Sequence, residues 1–128
     1  MQIGTLFALA AESSASDEYK RMCTSLNEGD TMLCLKKISP TRLVKNALYN
    51  KVAEAEAAGA DADALRAIMG KAASKRGIFE GDVENGEIEI GQIASAIKSI
   101  DTVADIFARL DQEYNERLSK IETYARKD

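Results

Sequence analysis

Apolar residues recur along this chain at two periods, and the change from one to the other predicts where strands give way to helices. Residues 2–8 are apolar enough for a strand buried on both faces, the kind a parallel sheet uses, and they run through a Gly4-Thr5 turn. A polar stretch from Ala11 to Ser16 follows. Ser16 suits the N-cap of a helix opening with Asp17-Glu18, whose charges favour the positive end of the helix dipole. Tyr19, Met22, Cys23 and Leu26 then fall at i, i+3, i+4 and i+7 on one face, and Gly29 closes the segment. Thr31 to Leu35 reads as a short strand.

Ser39-Pro40 predicts the next helix start, serine as N-cap and proline at the first helical position, with the helix reaching about Ala58. Leu43, Val44, Leu48 and Val52 give it an inner stripe, and Gly59 a stop. Asp61 or Asp63 caps another helix with Leu65, Ile68, Met69 and Ala72 inward; Gly70 inside that pattern costs about 1 kcal/mol against alanine. Gly77 to Gly86 is turn-like and acidic. Ile88 and Ile90 alternate with glutamates, as in a strand, while Ile90, Ile93, Ala94 and Ile97 keep helical spacing. The longer pattern predicts a helix from about Glu87. Asp101 or Thr102 caps the last and longest helix, whose apolar stripe runs from Val103 through Tyr114 to Ile121, with a frayed end over residues 124–128. The expected fold is mainly α, four to five helices with one or two short strands, in one unit without internal repeats.

Composition narrows the chemistry. The 128 residues are 45% hydrophobic and 30% charged, with 5% aromatics and one proline, a balance that favours helices. A net charge of −4 with no dense basic patch argues against nucleic acid, and no apolar run reaches a membrane span. A cytoplasmic location is the expectation. With no histidine, and neither cysteine paired at ligand spacing, the sequence argues against a metal site and against Ser/His or Cys/His catalysis. Cys23 and Cys34 read as reduced core residues. Glu80, Asp82, Glu84, Glu87 and Glu89 read as a solvated acidic turn, since they lack the spacing of a calcium loop. The residues themselves define a mostly helical domain with one possible phosphate-binding turn at Gly4-Thr5.

Five segments carry more in combination: Gln2-Ile3-Gly4-Thr5-Leu6-Phe7, Glu28-Gly29-Asp30-Thr31, Arg42-Leu43-Val44-Lys45-Asn46, Gly81-Asp82-Val83-Glu84-Asn85-Gly86 and Gly91-Gln92. In this order, over residues 2–110, they resemble the C-terminal part of the nitronate monooxygenase family, which includes the FMN-dependent enoyl-acyl-carrier-protein reductases. That resemblance implies part of an FMN-binding (β/α)8 barrel, with Gln2 to Phe7 as its last strand. It implies that Gly4 and Thr5 contact the FMN phosphate, with Gln2 as a weaker contact, and it assigns no catalytic residue to this chain. Leu6 stands where the family often has arginine, and the family's catalytic histidine and seven further strands have no counterpart here. Residues 111–128 form a helical extension beyond the match.

Two functional readings follow. By resemblance, the chain is the closing portion of an FMN-dependent oxidoreductase, missing its N-terminal barrel portion, inactive alone and without tightly bound FMN. The alternative is a non-enzymatic helical interaction module forming a homo-oligomer through exposed apolar faces, Val103 to Ile121 among them.

Overall fold

The computed structural model describes residues 3–124, so Gln2 and residues 125–128, where fraying is expected, lie outside the described residues. Five α-helices and two strands form among the described residues: α1 (Thr5–Ala8), α2 (Asp17–Ser25), β1 (Thr31–Cys34), β2 (Thr41–Val44), α3 (Ala47–Ala57), α4 (Ala62–Met69) and α5 (Val103–Tyr124). A π-helical turn, Lys75–Phe79, and a 3-10 turn, Gln92–Ala96, lie between α4 and α5. The mainly α fold expected from composition is the one that forms.

The strands are antiparallel, with Thr31 opposite Val44 and Cys34 opposite Thr41. Consecutive strand residues point to opposite faces, and β2 uses this to serve two cores. Leu43 joins Cys34, Leu48, Val52, Leu65 and Met69 between the sheet and the α3–α4 pair. Val44 joins Tyr19, Cys23, Ile88, Ile90 and Ala94 on the side of α2. Each large apolar side chain buried here contributes roughly 1.5–3 kcal/mol.

Local end signals place several elements as expected. Ser16 accepts from the Tyr19 N–H at 3.2 Å to cap α2, and Asp61 accepts from the Ala64 N–H at 2.9 Å to cap α4. Thr102 accepts from the Asp105 N–H at 3.1 Å ahead of α5, and the α5 residue Val103 also donates its N–H to the Glu12 carboxylate at 2.9 Å. Cys23 and Cys34 are buried free thiols.

Four expectations are corrected. Residues 5–8 are helix rather than strand, because the segment satisfies its backbone internally: Ala8 N–H bonds Gly4 O at 2.9 Å and Leu9 N–H bonds Thr5 O at 3.2 Å. The Ser39-Pro40 helix is absent at its start. Thr41–Val44 pairs with β1, proline biases the residue before it toward extended backbone, and α3 begins further on, at Ala47, under the cap of Asn46. Gly70 ends α4 at φ 68° instead of lying within it, and Ala72 is exposed.

The helix from Glu87 gives way to period two. Val44 N–H bonds Ile88 O at 2.9 Å, Leu43 bridges Glu89, and Ile88 and Ile90 are buried while Glu89 is exposed. The second edge of β2 was open and these residues filled it, so helical spacing survives only in the 3-10 turn. In α5, Ile106 is the one buried residue among those described, and from Asp111 to Tyr124 every residue is exposed.

Candidate functional site

The Gly4-Thr5 turn opens onto a cleft of about 650 Å³, bounded by Ile3 to Leu6, by Ile93 and Ile97 of the 3-10 region, and by Arg109 and Leu110 of α5. Gly4 precedes α1 with φ −85°, ψ −56°, and a Cβ built on it would meet no atom within 4 Å. Gly91 differs: a Cβ there would collide with Thr5 Oγ1, so its missing side chain is what lets the two segments approach. Two motifs from opposite ends of the resemblance thus meet where Gly91 packs against Thr5, and Thr5 in turn lines the cleft.

The cleft carries mixed charge. Arg109 pairs with Asp101 at 2.7 Å, and hydrogen bonds from Ser99 and Arg109 hold the Asp101 carboxyl below the usual carboxylate range. Lys98 donates to the Leu26 carbonyl. Glu113 completes the rim. N–H groups of a first helical turn have no intrahelical acceptor, so Thr5 and Leu6 offer backbone donors on the same cleft as two cations. That set suits a phosphate or another small anion.

The other motifs build structure. Asn46 is buried, accepts from the Tyr49 N–H at 3.0 Å, and donates to the carbonyls of Val83 and Gly86 at 2.8 and 2.9 Å. It therefore ties the Arg42–Asn46 segment to the Gly81–Gly86 segment while capping α3. Gly86 packs so closely that a Cβ on it would collide with Gly77 Cα. The Asp30 carbonyl accepts from the Lys45 N–H at 2.9 Å and joins the Glu28–Thr31 segment to the end of β2. Gln92 is exposed and is not among the residues lining the cleft. Sequence reasoning missed Asn46 as a hub. Its preference for the N-cap position ahead of an apolar run was the available signal.

The acidic segment is held by local bonds: Glu87 accepts from Ser74 Oγ at 2.5 Å, and Asp82 accepts from the Asn85 N–H at 3.0 Å. The buried reactive groups are quiet. Burial pushes the Cys23 thiol up to about 12 and the Cys34 thiol up to about 11, and it raises the Tyr19 phenol, which donates to Glu89 O at 2.8 Å. Thiols protonated at neutral pH are poor nucleophiles.

A mainly helical unit with a two-stranded sheet occurs as part of a longer TIM-barrel chain. That chain is FabK from Thermotoga maritima, which this protein matches with a TM-score of 0.84 and 27% identity over 96% of its own length. A single-substitution mutant of FabK matches with a TM-score of 0.76 and 26% identity, again over 96% of this chain. The chain spans only 36–39% of the FabK chains. No protein-family model and no curated protein matches the sequence.

Proposed function

We propose that this chain supplies the FMN-phosphate turn and the covering helices of an FMN-dependent oxidoreductase of the enoyl-acyl-carrier-protein reductase kind. The observation that carries this reading is the match to FabK over 96% of the chain. The cleft supports it in chemical terms: open space at Gly4, the Thr5 hydroxyl, backbone N–H groups and nearby cations all suit a phosphate. Gly4 and Thr5 would hold that phosphate, and the resemblance adds Gln2 as a weaker contact. FMN, when bound, supplies the redox chemistry. This chain's own residues bind and orient, and catalysis requires the walls of a larger barrel. An enoyl thioester is the preferred substrate class because of the likeness to FabK; a nitronate is the other class that the wider resemblance implies.

Calorimetric titration with FMN and with riboflavin tests the reading. Weak binding of FMN, none of riboflavin, and loss of FMN binding in Gly4→Val and Thr5→Val are expected. Equal affinity for the two flavins would remove the phosphate site. Tight FMN binding with turnover by this chain alone would remove the claim that it is catalytically incomplete.

A further inference from the structure

Helix α5 is about 33 Å long at 1.5 Å per residue, yet Ile106 is the one buried residue among its 22. Phe107, Tyr114 and Ile121 are 60–66% exposed, and Leu118 is 41% exposed. Its N-terminal end is anchored, with the Phe7 and Phe107 rings 5.5 Å apart. Phe107, Leu110, Tyr114, Leu118 and Ile121 follow at spacings of 3, 4, 4 and 3 residues, a pattern that reads alike in both directions from Tyr114.

We propose that this face joins two copies of the chain, their α5 helices antiparallel about a two-fold axis at Tyr114. Phe107 then lies opposite Ile121 of the second copy, Leu110 opposite Leu118, and Tyr114 opposite its counterpart. A two-fold contact of this kind is self-complementary. Charge selects the direction. Glu113 and Arg117 border the same edge of the stripe, and an antiparallel pair brings like edges together, so each Glu113 falls about half a turn from both Arg117 and Glu113 of the second copy, two attractive pairs against one repulsive pair. A parallel pair would bring Glu113 beside Asp111 of the second copy and align the two macrodipoles unfavourably. The overlap from Phe107 to Ile121 is about 21 Å, which leaves the two folded bodies at opposite ends. Five apolar side chains per copy bury on the order of 1,000 Å² in total, the low end for specific association. The dimer is therefore weak and concentration-dependent. Leu110 and Glu113 also line the cleft, so the dimer shares that rim with the proposed flavin site, while its test reads association and not flavin binding.

Sedimentation equilibrium of the full chain over a wide concentration range tests this. A monomer–dimer equilibrium is expected, weakened at least about tenfold by Tyr114→Glu or Leu118→Glu, with circular dichroism and thermal unfolding unchanged because both positions are exposed. Glu113→Arg should weaken it several-fold, and adding Arg117→Glu should restore it. Under oxidation, Leu110→Cys and Leu118→Cys should cross-link when mixed and not separately. A chain that stays monomeric at its solubility limit overturns the proposal, as does a dimer indifferent to both glutamates, which would assign the stripe to another occupant. Cross-linking of Leu110→Cys with itself would overturn the antiparallel arrangement.

Discussion

At Gly86 a Cβ would collide with the Cα of Gly77, whereas at Gly4 it would meet nothing within 4 Å. Both glycines belong to short motifs of similar appearance, and the fold uses them in opposite ways. Around Gly86 the chain crosses itself, and Asn46 directs its amide at the carbonyls of Val83 and Gly86. Around Gly4 the chain leaves space, beside a cleft that its own side chains do not fill. A crowded glycine answers to packing. An open one, as at Gly4, leaves room beside the cleft.

The largest expected effect breaks the crowded side. Gly86→Ala forces backbone apart and should cost about 3 kcal/mol or more in urea unfolding. A loss below about 1 kcal/mol would mean that the crossing relaxes freely, and the contrast would fail. Asn46→Ala removes the α3 cap and two buried donors, for an expected cost of about 2–3 kcal/mol. Asn46→Asp keeps the cap but aims oxygen at two carbonyls, so it should recover little; full recovery would show that the cap alone matters.

Alkaline pH gives a smaller effect on the same packed side. The Cys23 and Cys34 thiols sit near 12 and 11 in the fold against a usual 9.0, so the folded state keeps protons that the unfolded state releases. Their contribution is full below pH 9.0 and is lost as pH rises through about 11 to 12. Thermal midpoints should fall progressively above pH 9.0, with a flatter slope in Cys23→Ala. The smallest stability effect belongs to the open side. Gly4→Ala fits φ −85° and should change stability by no more than about 0.5 kcal/mol while weakening FMN binding. A large stability loss there would make Gly4 another packing glycine.

Much of the fold was legible wherever a signal and its partner lie within one turn of each other. Ser16, Asp61 and Thr102 bond N–H groups three residues ahead, and the Tyr19–Cys23–Leu26 face needs no distant information to be recognised. Expectations failed where the partner is remote. Thr41–Val44 is a strand because Thr31–Cys34 and Ile88 bond its two edges, and Glu87–Ile90 is extended because β2 had an edge to offer. For the site, the sequence pointed to Gly4 and Thr5, but not to Gly91 as the residue that packs against Thr5.

Sequence alone determined the helical composition, the caps and the apolar stripes, since these depend on backbone propensity and on side chains a few residues apart. Tertiary structure decided which extended segments pair, which glycines are crowded and which face of α5 stays uncovered. Those outcomes depend on atoms brought together from positions far apart in the chain, and no local pattern encodes them.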